Sequence, residues 1–183
     1  MIYIESKRKK IENIRAKYPN AIICDVTSKS DNGLVKLSPF YPHGNIPVPF
    51  SENCYGMSVE GIWQGLKVFE NEDIDISCFQ NSSMKNIKRT CRTHGNIIGH
   101  RKGVSGLEIL GYHDAKHLIY IPLYKWVLQN VVYDIINRMK VASYSKDIVL
   151  LDYNTSEEVD CTKPLSHAFL IKAFIMGIYP YNE

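Results

Sequence analysis

Nowhere in its 183 residues does this chain carry an apolar run near the roughly 18–20 residues that a membrane-spanning helix needs. The opening MIYIESKRKK has no apolar signal core either. Cysteine is sparse and unpaired in pattern. The five positions (24, 54, 78, 91 and 161) are odd in number and form no CxxC, which argues against a disulfide scaffold or a zinc ribbon. The expectation is a chain with reduced thiols, cytoplasmic, making no membrane contact. Several motifs of established chemistry are also missing. There is no GxxxxGK[ST] or GxGxxG, no HExxH, and no GxSxG, the serine at 105 standing in GVSGL. His113 and His117 have the i, i+4 spacing of two helical metal ligands, but neither the glutamate nor a third ligand accompanies them, so no metal and no resident cofactor are expected. Net charge is only +3, too weak by itself to argue for a nucleic-acid partner. One local absence stands out: from 76 to 107 there is no acidic residue, while Lys85, Lys88, Arg89, Arg92, Arg101 and Lys102 all fall there.

The residues that are present describe an ordinary globular chain. Hydrophobic content of 45% and charged content of 22% suit one domain with a sizeable core. Periodicity predicts a charged helix over 5–18, with the basic run 7–10 on a solvated face, and a short strand over 21–26. The four prolines of 36–50 (KLSPFYPHGNIPVPF) forbid helix or central strand there. A short helix is expected through Met84, Ile87 and Cys91, followed by a glycine-rich basic loop, THGNIIGHRKGVSG, able to accommodate phosphate. A helix over 112–121 leads into one of about five turns over 122–140, read as a central core helix with a polar stripe of Lys125, Gln129 and Tyr133. A strand over 147–153, a polar loop over 154–163 and a helix from Pro164 to Gly177 complete the chain. The fold class is therefore α+β: a single helix-dominated domain, 1–183, with a few short strands.

The chemistry concentrates in 58–70, SVEGIWQGLKVFE. Read as one helix capped by Ser58, it places Glu60, Gln64 and Lys67 on one narrow stripe, with Trp63 at its edge and Gly61 and Gly65 on another side. Two interior glycines, each costing about 1 kcal/mol against alanine, make sense where another backbone or a ligand approaches closely. A carboxylate, an amide and an ammonium in apolar surroundings read either as a pocket wall or as a core helix whose polar stripe meets water.

That stretch resembles the signature helix of the NADAR superfamily, the NAD- and ADP-ribose-associated proteins, whose pattern is T/S-x-E-H-x-x-Q-x-x-K-F. LSPFYPHGNIPVPF resembles the F-S-N-F-x-P segment that precedes it in that family, YKWVLQN its A-K-F-x-Q-N helix, and IVLLDYN its L-V-E strand. Order and approximate spacing agree over 36–154. The chain departs from the pattern at Gly61 (histidine in the family), at Pro39 (asparagine) and at Val68, and TSEEVD stands where a tryptophan-glycine pair is expected. The resemblance implies N-glycosidase chemistry on an ADP-ribosyl or other NAD-derived nucleotide, including ADP-ribosylated guanine in nucleic acid. Under it Glu60 stabilises positive charge on the ribose or activates water, Lys67 attacks the anomeric carbon or holds phosphate, and Gln64 binds ribose hydroxyls. Trp63 and Phe40 would stack on a base, and Arg89, Arg92 and Arg101 would neutralise a diphosphate. The 122–140 helix would face the first across the pocket, bringing up Lys125 or Asn130. Two alternatives stay open: a binding module that sequesters such a nucleotide without turnover, and a nucleic-acid-binding protein using the basic segments.

Overall fold

The computed structural model describes residues 1–159 and 164–181. It has the α+β composition expected, 38% helix against 16% strand, so helix dominates. Its chain forms two compact units, Met1–Ser38 with Val127–Glu183, and Pro39–Trp126.

The first unit is built on three parallel strands, β1 (Ile2–Ser6), β2 (Ile22–Asp25) and β8 (Ile148–Asp152), in the order β1-β8-β2. The central strand β8, IVLLD, is buried at every residue, as a parallel strand covered on both faces must be. Helix α1 (Ile11–Lys17) drives Ile14 onto Val149 and Leu151 on one face. By strand alternation Ile148 and Leu150 point the other way, where α6 (Tyr133–Ser143) and α7 (His167–Met176) pack against β8. The helix expected over 5–18 is thus shorter. Its first residues are strand β1, and the basic run 7–10 is the turn after it, where Lys7 pairs with Asp25 and Lys9 with Glu5. Strand β8 supplies partners for the backbone of 2–6, which a helix there would forgo.

The second unit holds the 58–70 stretch. Helix α2 spans only Val59–Gly65, and Lys67–Phe69 is strand β5, paired antiparallel with β6 (Ile97–Arg101), which pairs in turn with β7 (Ile109–Leu110). A short hairpin, β3 (Ile46–Pro47) with β4 (Tyr55–Gly56), precedes α2. Ser58 caps α2 as expected, its Oγ accepting from the Gly61 N–H at 3.0 Å. The glycines of α2 are required by close approach. A Cβ on Gly61 would meet the Cys78 carbonyl oxygen at 2.6 Å, and one on Gly65 would meet the Phe79 ring at 2.3 Å, both from the 3-10 turn Ile76–Gln80. No helix forms through 84–90; helix α3 is one turn, Cys91–His94.

The loop expected over 93–106 is largely β6 and its turn. Helix α4 (Tyr112–Ala115) runs through a π turn, Lys116–Tyr120, into α5 (Ile121–Asn130). The five-turn helix read over 122–140 breaks between α5 and α6; of its polar stripe Gln129 and Tyr133 are exposed and Lys125 is half-buried. The 154–163 loop lies partly outside the described residues, as does Cys161.

Candidate functional site

Two hydrogen bonds fix Glu60. Its backbone N–H donates to the Pro39 carbonyl at 2.9 Å, so the proline-rich segment holds the first turn of α2. Its carboxylate, in a residue only 7% exposed, accepts from Gln64 Nε2 at 2.8 Å, the i, i+4 pair the sequence placed together. Gln64 Oε1 in turn accepts from the Arg89 backbone N–H at 3.0 Å. Both ends of the amide are used, so the carboxylate is held at a set orientation by a side chain that is itself held. Ribose binding by Gln64 would have to break into this chain.

Lys67 sits one residue past the end of α2, on β5. Its ammonium is half-buried and makes no ion pair or hydrogen bond among the described residues. Burial lowers its pKa below the ordinary lysine value. The Glu60 carboxylate pulls the other way, and Lys88 and Arg89 add to the lowering. Lys67 is thus a half-buried amine close enough to feel a buried carboxylate.

Two of the three arginines expected on a diphosphate, Arg89 and Arg101, are engaged elsewhere. Arg89 is buried and clamps the chain: its guanidinium donates to the carbonyls of Lys67 (2.7 Å) and Asp73 (2.8 Å), pairs with Glu72, and lies over the Phe69 ring. Arg101 forks onto Asp73 at 2.7 and 2.6 Å, and Lys102 pairs with Glu108. The acidic partners come from 70–75 and 108, just outside the acid-free stretch. Arg92 is exposed on α3 and carries no such pair. Gly103 turns with a positive φ against the Phe50 carbonyl rather than opening toward an anion.

Phe40 is half-buried, with Lys88 above its ring at 5.6 Å. Trp63 is 8% exposed. One indole face is stacked on His100 at 3.7 Å and 27°, and Tyr120 and Tyr112 meet it edge-on. That face is not open to a base. Lys125 is half-buried on α5, and Asn130 belongs to the other unit, where it is exposed. Glu60, Gln64, Lys67 and the Arg89 backbone are thus brought together.

Sequence reasoning missed His100. Residue 100 is 1% exposed and is the Cα partner of Lys67 across β5 and β6. Neither ring nitrogen has a hydrogen-bond partner among the described residues. Burial, helped by the charge of Lys67, drives its pKa down to about 3, so the ring is neutral. Each unmet buried group of this kind costs about 1–3 kcal/mol. Reading 97–101 as a strand partner of KVF would have exposed this position; the glycines around it suggested a loop instead.

Among the described residues no group of His, Cys, Asp or Glu is arranged to hold a metal, and His113 and His117 face each other with rings 4.5 Å apart. A family model described as a family of unknown function (DUF6939) matches residues 6–171. No curated protein and no solved structure matches the chain.

Proposed function

Since the chain belongs to that family of unknown function, its reading must come from its own residues, and we propose that it is an N-glycosidase. The substrate class is an ADP-ribosyl or related NAD-derived nucleotide, including ADP-ribosylated guanine in nucleic acid. The observation that carries the proposal is the half-buried, unpaired Lys67 beside the fixed Glu60 carboxylate. The resemblance of 36–154 to the NADAR pattern supports it.

The chemistry follows from these two groups. As the bond from the anomeric carbon to the base breaks, its electron pair leaves with the base and positive charge builds on the ribose. A fixed carboxylate lowers the energy of that charge most where water is excluded. Lys67 in its neutral form supplies the lone pair that forms the new bond to the anomeric carbon. The proton that the attacking nitrogen releases passes to Glu60 and from it to the departing base. The resulting glycosylamine opens as its bond from the anomeric carbon to the ring oxygen breaks and the second nitrogen proton moves to that oxygen. This gives an imine that water hydrolyses to ADP-ribose and the free amine. Glu60→Gln is expected to fold normally and to lose at least about 100-fold in turnover. The measurement is release of ADP-ribose from guanine-ADP-ribosylated DNA and from free ADP-ribosyl nucleotides, read by mass spectrometry. Full activity in Glu60→Gln would remove that carboxylate from the mechanism.

A second reading, a module that binds such a nucleotide without turnover, is favoured by Gly61 in the place of the NADAR histidine. Intact ligand recovered on the wild-type protein after long incubation would establish it. The third, nucleic-acid binding through basic segments, is disfavoured by the ion pairs that occupy Arg89, Arg101 and Lys102.

A further inference from the structure

We propose that His100 is a further ligand-binding residue of this site, one that contacts an uncharged part of the ligand, the ribose or the base, rather than its phosphates. The inference rests on the reading of the Glu60 and Lys67 site as a nucleotide pocket. It begins from placement. His100 and Lys67 are directly opposed across β5 and β6, so their side chains leave one face of the sheet with Cβ atoms about 5 Å apart. The imidazole stacks on Trp63, which lies between Glu60 and Gln64 on α2. His100 therefore belongs to the same wall as the proposed reactive groups.

Its chemistry sets it apart from an ordinary core residue. A neutral imidazole carries one donor and one acceptor. Here both nitrogens are buried and neither has a partner; among the described residues no other side chain has every polar atom in that state. Nothing in the stack on Trp63 needs those nitrogens. A phenyl ring of similar outline would fill the place without any desolvated polar atom. Buried polar groups left unmet in a native fold call for a partner that arrives later. Charge then decides what kind. With its pKa held near 3 by burial, the ring brings no positive charge to a phosphate, but it offers a hydrogen bond to a hydroxyl, a carbonyl or a ring nitrogen. The part of the wall able to move aside is the unbranched side chain of Lys67, whose ammonium has no hydrogen bond or ion pair among the described residues.

The experiment compares wild type with His100→Phe in thermal melting and in calorimetric binding of ADP-ribose at low and at high salt. His100→Phe is expected to melt above wild type and to bind at least about ten-fold more weakly. The loss should be the same at both salt concentrations, because a contact between neutral groups is not screened. Wild-type affinity in His100→Phe overturns the proposal, and so does a loss that shrinks as salt rises. A variant that melts below wild type, or fails to fold, also overturns it, since the imidazole would then be a structural residue. Wild type that ignores ADP-ribose would instead remove the nucleotide reading itself, and the inference with it.

Discussion

Lys67 and His100 show how one pair of strands gives two ionisable side chains unusual states. Lys67 loses water on entering β5 but gains no counter-ion of its own, and its lowered pKa follows. If the amine attacks the anomeric carbon, turnover rises with pH and levels off below the 10.5 of an ordinary lysine. Arginine keeps the charge but cannot release its proton at these pH values. Lys67→Arg is therefore expected to lose at least about 100-fold in turnover while ADP-ribose affinity changes only a few-fold, measured by product release and calorimetry. Retained turnover would assign Lys67 to phosphate binding. His100 makes a separate prediction about stability. The folded ring resists protonation down to about pH 3, whereas the unfolded ring binds a proton below about 6.5. Unfolding then takes up a proton as pH falls through that window. Urea stability should drop by about 1.4 kcal/mol per pH unit from this residue, with no such contribution above 6.5. His100→Phe should flatten that limb of the profile.

At the scale of the element, α2 is set by what lies against it. Its apolar period continues to Phe69, so periodicity alone carries the helix on. It stops at Gly65 because the Gly65 carbonyl accepts from the Asp75 N–H at 2.8 Å, the Phe69 N–H donates to the Glu72 carbonyl at 2.7 Å, and the KVF segment finds strand partners in β6. Gly65→Ala is expected to destabilise by roughly 2–3 kcal/mol in urea unfolding, as over-packing against a ring and a backbone oxygen does. Strand β8 ends on a second device. The buried Asp152 carboxylate accepts from the α7 cap Ser166 at 2.7 Å and pairs with His167 Nδ1 at 3.0 Å; His167 Nε2 lies 2.9 Å from the Val26 carbonyl of the chain just past β2. Burial raises the Asp152 pKa, but the bonds from His167 and Ser166 outweigh it and hold the group below 3.8. Its contribution is therefore complete above pH 3.8 and is lost as pH falls below it. Asp152→Asn should cost about 2–4 kcal/mol at neutral pH, read by urea unfolding, because it leaves partners of a buried carboxylate unmet.

For the molecule as a whole, the 22 lysines and arginines stand against 19 acidic residues, a net charge of only +3. Lys7, Lys9, Lys17, Arg89, Arg101, Lys102 and Lys172 each hold an acidic partner. Unmodified duplex DNA is therefore expected to bind with a Kd weaker than about 10⁻⁴ M at physiological salt, measured by fluorescence anisotropy. Tighter, steeply salt-dependent binding would restore the nucleic-acid reading. The strand over 147–153, the Ser58 cap, the Glu60 and Gln64 pair and the stop at Gly177 were all legible, because each depends on residues within one or two turns of one another. The same locality explains the errors. Residues 2–6 became a strand because β8, distant in sequence, supplied hydrogen-bond partners. Arg89 and Arg101 became clamps because Glu72 and Asp73 came to meet them. His100 was hidden because its two neighbours, Lys67 and Trp63, are brought to it by strand pairing and by helix packing. Local physics, the spacing of apolar and polar residues and the caps and breakers between them, determined the α+β class and a polar cluster on α2. Only tertiary structure decided which polar groups are spent on holding the fold and which, the half-buried Lys67 ammonium and the buried His100 ring, have no hydrogen-bond partner among the described residues, since desolvation and pairing depend on what the distant chain brings.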